Sequence, residues 1–520
     1  MRFSNSKYWD LVSLIAGILL TLSFAPFDYV YLALAALIFL FASWQNISPG
    51  RAALRGYLFG LGSFGLGVSW VYISIHDFGG ADLLSSIILT SLFIILWALF
   101  PALSGYLSVK LMPPSAKILQ LFAIPLIWII IEYVRGYLLL NGFPWLQIAY
   151  SQLETPLAGY IPIVGGYGTG FLLAFTASAA VILIFYKRHL ALLTVIIAVL
   201  WSTGTWLKTV KWTQTAGSPI KASLIQGNIS QGQKWKLENR NHTLQKYKSM
   251  TEEHWDSDVI VWPETAVPAF LSEVNDSFLL PLSAEAAKNN TDLIISIPIK
   301  ENLQHQKYNA AITLGKNVGI YRKSHLLPFG EYLPLQPLSG FLLNILDIPL
   351  ANFLPGRTDQ PLLKAGGYSF ITSICYEDAF SDVNIRGLPE AAYLVNVTND
   401  AWFGDSLEPH QHMQIARMRA METGRFLLRA ANTGISAIVS PEGKIINQAP
   451  LFETAVISGA IIPMEGMTPY ARFGDRAIMS VIGLLLLALI GYGGISEGQR
   501  SLTIRVRLKR CFLFNENAQE

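Results

Sequence analysis

Hydrophobic and polar positions along this chain follow two regimes. Up to residue 207, long apolar runs succeed one another with short polar breaks. A helix needs about 20 mostly apolar residues to cross a bilayer core. The pattern predicts seven spans near 8–25, 29–45, 55–76, 82–109, 118–140, 158–186 and 189–207, and an eighth near 477–496. The fourth and sixth are long enough to tilt or to extend past the lipid. The first span resembles a signal peptide only superficially: another follows at once and no clear small-residue cleavage site intervenes, so it is expected to be retained.

From 208 to 475 the pattern is that of an α/β domain, with short apolar runs separated by amphipathic stretches. Strands are expected in 221–229, 258–265, 292–300, 367–378, 391–400 and 454–463. Hairpins are expected over 308–325, turning near Gly315 and Gly319, and over 436–448, turning at PEG. Helices are expected at 237–254, 278–290 and 410–432. The chain thus divides into a membrane domain (1–207), a polar α/β domain (208–475), and a last span with a basic tail (476–520).

Composition sharpens this division. The chain is 52% hydrophobic and 14% charged, against about 25% charged residues in a soluble protein. That average conceals nine Lys/Arg and six Asp/Glu in 1–207, but 23 and 26 in 208–475. A net charge of +3 gives no reason to expect a nucleic-acid partner. Positive charge marks the cytoplasmic loops of a membrane protein. Arg2 and Lys7, Arg51 and Arg55, Lys110 and Lys117, Lys187 and Arg188, and the tail from Arg500 to Arg510 all fall on one side. The alternate loops are nearly free of Lys and Arg, apart from Arg135 near the end of the fifth span. Both termini are therefore expected in the cytoplasm and 208–475 on the outer face. Cys375 and Cys511, the two cysteines of the chain, then lie on opposite sides and cannot pair. An unpaired outer thiol suggests a function.

Three polar residues close apolar runs: Glu264 in VWPET, Lys323 in YRKSH and Cys375 in ICYED. A thiol attacks as the thiolate. A carboxylate can take its proton, and an ammonium, with the backbone N–H after the cysteine, can hold charge developing on a carbonyl oxygen. The three together suit acyl transfer through a thioester. Singly, each has a plain reading: a buried small hydrophobe, a helix cap and a solvated cation. His410 and His412, with Asp400 and Asp405 upstream, permit a metal site, but solvated helix-start residues are the expectation. Arg417, Arg419, Arg425 and Arg429 are expected to pair locally with Glu422 and cover the domain. Glu132 and Arg135 are spaced to pair on one helix. The Gly pairs at 79–80 and 165–166 suggest close helix contacts or bends, and no P-loop or Rossmann fingerprint is present.

The joint context resembles the nitrilase (carbon–nitrogen hydrolase) superfamily. It matches in VWPET, YRKSHLLPFGEYLP, SICYED and VNVTNDAWFG, in the order Glu, Lys, Cys. With the apolar spans, QGNISQGQKW at 226–235 and APF near 25–27, nearly the whole chain is similar to the apolipoprotein N-acyltransferase family. The resemblance implies a four-layer αββα sandwich on the periplasmic face of a bacterial inner membrane. It implies Cys375 as nucleophile, Glu264 as general base and Lys323 as oxyanion stabiliser, with Trp235, Glu331, Tyr376 and Glu377 in support. It further implies a ping-pong reaction, without cofactor or metal. An acyl chain passes from a phospholipid, typically phosphatidylethanolamine, to Cys375, and then to the α-amino group of an apolipoprotein's diacylglyceryl-cysteine. A monomer is expected. The apolar loop 326–355 is expected to dip toward the bilayer and gate acyl entry, or else to pack against the domain. Two other functions stay open: a membrane-anchored amidase with water as acceptor, which leaves eight spans unexplained, and a transporter with an outer sensory domain. The spans carry almost no polar residues along which a transport pathway would run.

Overall fold

A computed structural model describes residues 7–112, 117–186, 190–301, 306–335, 339–340 and 352–516, with side chains described as far as 493. All eight apolar stretches are helical. They form α1 (Lys7–Thr21), α2 (Tyr31–Ser43), α3 (Pro49–Gly67), α4 (Leu83–Lys110), α5 (Lys117–Tyr137), α6 (Ile161–Tyr186), α7 (Leu190–Leu207) and, after the polar domain, α11 (Pro469–Glu516).

Five of these helices are long and apolar enough to cross a bilayer. A sixth crossing arises if α3 and the helical turns Val71–Phe78, bent at 59° to it, count as one. The helices α1 and α2, with 15 and 13 residues, rise only about 20 Å each at 1.5 Å per residue. The count of eight full spans is thus not reached by length alone. Close approaches of small residues bind the bundle. A Cβ on Gly56 or Gly60 would lie under 3 Å from the α4 backbone at Pro101 or Ala98, the small-residue packing that substitutes for hydrophobic drive in lipid.

The polar domain is a four-layer sandwich. Its first sheet has the order β12-β1-β2-β3-β4-β5, from Ala455–Ile461, Ile220–Gln226, Val259–Val261, Asp292–Glu301, Gln306–Leu314 and Gly319–Arg322. Its second has the order β11-β10-β9-β8-β7-β6, from Ile445–Gln448, Ala437–Val439, Leu427–Ala431, Tyr393–Thr398, Tyr368–Ile374 and Leu363–Ala365. The central strands of each sheet run parallel and are buried on both faces, which explains their continuous apolar runs. Alternate side chains such as Ala222, Leu224, Val259, Val395, Val397 and Leu428 fill the space between the sheets. The opposite face of the first sheet packs on α8 (Leu237–Glu252) and α9 (Leu280–Lys288). That of the second packs on α10 (Glu408–Thr423).

One expected element divides. The stretch 410–432 is helix only to Thr423, and Leu427–Ala431 is the buried strand β9. Gly424 stops the helix at φ 63°, and its N–H bonds back to Ala420 O. The left-handed residue at a helix end is the glycine-favoured stop. A Cβ there would also lie 2.6 Å from Thr213 Cγ2.

Candidate active site

Strand ends in both sheets deliver the candidate residues to one place. Glu264 lies three residues past β2, Lys323 immediately past β5 and Cys375 immediately past β7. Lys323 is 1% exposed. Its Nζ lies 2.8 Å from Glu331 Oε2 and 3.9 Å from Glu264 Oε1. Asn309 in β4 ties the group together. Its Nδ2 donates to Glu264 Oε1 at 2.8 Å and to Glu331 Oε1 at 3.0 Å, and its carbonyl accepts the Lys323 N–H at 2.8 Å. Nothing in the motif reading singled out Asn309. Its signal is an amide just ahead of the mostly apolar run AAITL of a buried strand, where a polar group must find partners. Lys234 is a second residue that reading missed. Buried, it donates to the Glu264 carbonyl at 3.1 Å, and burial lowers its ammonium to about 8.

Cys375 is half-buried and opens a 3-10 turn, Cys375–Ala379, with φ 51°. A non-glycine residue in that region is strained and is held there by its surroundings. Glu377 is one such holder. Its Oε2 accepts the Ile374 N–H, and its Oε1 accepts from the Tyr321 hydroxyl, the Ser324 N–H and hydroxyl, and the His325 N–H, at 2.7 to 3.0 Å. One fully buried carboxylate therefore joins the Cys375 turn to the loop carrying Lys323. Tyr376 is another holder. Its hydroxyl donates to Gly142 O at 2.6 Å, and its ring stacks on Trp145, both in the connection between α5 and α6. Of the seven residues singled out from the sequence, Glu264, Lys323 and Glu331 share a polar cluster, while Tyr376 and Glu377 anchor the cysteine turn. Trp235 stands apart: it is 52% exposed, and no described hydrogen bond or ring contact joins it to the others.

The charges around the thiol define its resting state. Burial, then Glu264, pushes the Cys375 thiol up, against the lowering effect of Lys323. Burial raises the Glu264 carboxyl above its usual value; Lys323 opposes this and Glu331 reinforces it. Burial alone would lower Lys323, yet Glu331 and Glu264 outweigh it and hold the ammonium above its ordinary range. The surroundings thus favour the neutral thiol, disfavour the charged form of Glu264 and favour the charged form of Lys323.

Two expectations need correction here. His412 is not a solvated helix-start residue: it is 1% exposed, between Asp378 and Asp400. The arginines Arg419, Arg425 and Arg429 do not cover the domain; each is buried, because carboxylates or backbone carbonyls take their charge. Glu132 and Arg135 do pair, at 3.7 Å, and Arg135 also donates to Phe143 O at 3.0 Å. In the loop 326–355, Leu326 and Leu333 are buried and Leu335 exposed. Residues 336–338 and 341–351 lie outside the described residues, as do the side chains of Cys511 and the basic tail.

Two family models match the chain: "Apolipoprotein N-acyltransferase N-terminal domain" over residues 16–179 and "Carbon-nitrogen hydrolase" over 221–471. An apolipoprotein N-acyltransferase of Methylococcus capsulatus (strain Bath) is 50% identical over 468 residues, covering 89% of this chain and 92% of that one. One of Pseudomonas aeruginosa is 38% identical over 502 residues, covering 94% and 98%. Among solved structures, a carbon-nitrogen hydrolase from Helicobacter pylori G27 aligns over 47% of this chain and 89% of its own, at 17% identity and a TM-score of 0.36. The chain belongs to the apolipoprotein N-acyltransferase family.

Proposed function

We propose that this protein transfers an acyl chain from a membrane phospholipid, through a thioester on Cys375, to the N-terminal amine of a diacylglyceryl-cysteine on an apolipoprotein. The observation that carries the reading is the buried cluster of Glu264, Lys323, Glu331 and Asn309 beside the strained Cys375 turn. In the first half-reaction Cys375 Sγ attacks the ester carbonyl while its proton passes to Glu264. Lys323 Nζ and the backbone N–H of Tyr376 hold the oxyanion. The tetrahedral adduct collapses to the thioester, and the departing glycerol oxygen takes the proton from Glu264. In the second half-reaction the acceptor amine attacks the thioester carbonyl and gives a proton to Glu264, and the thiolate leaves and is reprotonated. Every group in these steps comes from one chain, which supports a working monomer, and no step calls for a cofactor.

The spans support an inner-membrane site for lipid substrates. Extracting an acyl chain into water would cost about 0.8 kcal/mol per CH₂, whereas a site held at the interface takes the chain where it lies. We place eight passes in the membrane, the two short helices included, with both termini cytoplasmic and 208–475 periplasmic. The distribution of Lys and Arg supports that orientation.

Reconstituted protein supplied with a phospholipid carrying a tagged acyl chain is expected to label the peptide holding Cys375. A diacylated lipopeptide should then discharge the label and gain the mass of one acyl chain. Release of free fatty acid with no gain by the lipopeptide would instead establish a hydrolase that uses water.

The raised Glu264 carboxyl gives the acylation step a pH limb. The base form is the carboxylate, so the rate falls as pH drops through that raised value. Glu264→Gln is expected to abolish the limb and slow acylation by about 10²- to 10⁴-fold. A variant that retains the limb would assign the base elsewhere.

A further inference from the structure

Behind the cysteine turn lies a buried ionic group that the reaction above does not use. His412 Nε2 is 2.8 Å from Asp378 Oδ1, and its Nδ1 is 3.0 Å from Asp400 Oδ1 and 3.3 Å from Glu408 Oε1. Arg429 donates to Asp378 Oδ2 at 2.9 Å and to Asp400 Oδ2 at 3.2 Å. All five side chains are at most 2% exposed. Asp378 lies within the Cys375 turn, Asp400 follows β8, Arg429 lies in β9, and His412 and Glu408 lie on α10. The Trp145 ring from the membrane domain packs on the imidazole with centroids 5.4 Å apart.

Both ring nitrogens of His412 face carboxylate oxygens, which only accept hydrogen bonds. The imidazole therefore carries two protons and a positive charge. Burial and Arg429 oppose that charge, but Asp378 and Asp400 outweigh them. His412 and Arg429 then balance Asp378 and Asp400. The third carboxyl, Glu408, is pushed up to about 7 by burial and by Asp400, and its Oε2 is buried without a partner. Asp400, Glu408 and His412 are close enough together to suggest a cation site. The guanidinium of Arg429 already supplies positive charge to Asp400, so an imidazolium fits the cluster better than a metal ion.

We propose that His412 is a positioning residue for acyl transfer: it clamps Asp378 of the nucleophile's turn to Asp400 at the end of the neighbouring strand, and its charge favours the Cys375 thiolate. The charged groups acting on the thiol include Glu264, Lys323, His412 and Asp400, and Arg429 couples to it as well. Lys323 from the loop after β5, His412 from α10 and Arg429 from β9 are the cations among them. Trp145 seats the clamp against the membrane domain, so the imidazolium lies where the two domains meet.

The proposal rests on the reading of Cys375 as nucleophile, and alkylation of the thiol separates the two. Full-length protein with Cys511→Ser leaves Cys375 as its one thiol. Iodoacetamide alkylation is followed against pH, beside kcat and KM for phospholipid and the melting temperature. His412→Gln removes the charge and keeps one amide donor. It is expected to shift the alkylation midpoint up by about one pH unit and to lower kcat at least tenfold, with KM within twofold. Asp378→Asn, which opens the same clamp from the other end with an isosteric side chain, is expected to show the same kcat-only loss, and it serves if His412→Gln fails to fold. A fall in melting temperature with alkylation and kcat within twofold of the parent would reduce His412 to a structural residue. Loss of activity in the parent on EDTA treatment, restored by zinc, would make it a metal ligand and overturn the proposal. Failure of tagged phospholipid to label Cys375 would overturn the nucleophile reading instead, whatever alkylation shows.

Discussion

Cys375→Ala is expected to abolish both half-reactions: no thioester forms from tagged phospholipid and no lipopeptide gains an acyl chain. The reasoning is covalent. The remaining residues can orient and polarise an ester, but none of them is placed to carry the acyl group between two substrates that bind in turn. The protein should remain folded, because Cys375 is half-buried and the turn is held by Glu377 and Tyr376 rather than by the sulfur. Alanine accepts the same φ of 51° at a similar strain. Cys375→Ser keeps the shape and replaces the thiol with a hydroxyl whose proton is much harder to remove. Mass spectrometry of the intact protein after incubation with lipid checks both variants. Lipopeptide acylation by Cys375→Ala would sink the mechanism.

Lys323→Met is expected to have the next largest effect, about 10³-fold or more on acylation. Removing one donor from an oxyanion site costs about 10²- to 10³-fold, and here a second loss compounds it. Lys323 is the ammonium between Glu264 and Glu331, and a partner removed from a buried ion pair costs about 3–5 kcal/mol. The cluster will relieve that cost by taking up a proton, so the Glu264 carboxyl rises further and the acid limb of the rate moves to higher pH. Single-turnover acylation measured across pH, alongside thermal unfolding in detergent, separates the two losses. A rate within tenfold of the parent would remove Lys323 from the oxyanion role.

The sequence disclosed what depends on local pattern. Apolar runs located the long helices of the membrane half, though not a count of eight full crossings, and the turn from alternating to helical spacing located most of the sandwich. The strand ends at VWPET, YRKSH and ICYED lead to one place in the structure, because a polar residue at the end of a buried strand has few ordinary reasons to be there. The 410–432 stretch was misread because the buried strand Leu427–Ala431 has the same apolar character as the helix before it. The glycine separating them was the signal, and its left-handed φ is visible only in three dimensions. His412 was misread for a different reason. Its hydrogen-bond partners Asp400 and Asp378 are 12 and 34 residues distant, and burial of a charge is a property of the assembled group. Asn309 shows the same limit: it became a site residue only when β4 set it between two glutamates.

The contacts of the Cys375 turn with the connection after α5 bear on how this protein can be divided. Gly142 receives the Tyr376 hydroxyl, Asn141 exchanges hydrogen bonds with His325 and Leu326, and Trp145 lies against both Tyr376 and His412. That connection is in turn fastened by Arg135 to the carbonyl of Phe143 and by Glu132 Oε1 to the N–H of Ile148. A soluble piece cut at 208 and 475 would keep Glu264, Lys323 and Cys375 and lose the wall against which the Cys375 turn is set. Grafting the sandwich onto a single anchoring helix would do the same. The transmembrane half is part of the scaffold that holds the Cys375 turn, and that support reaches back to Glu132 and Arg135 near the end of α5.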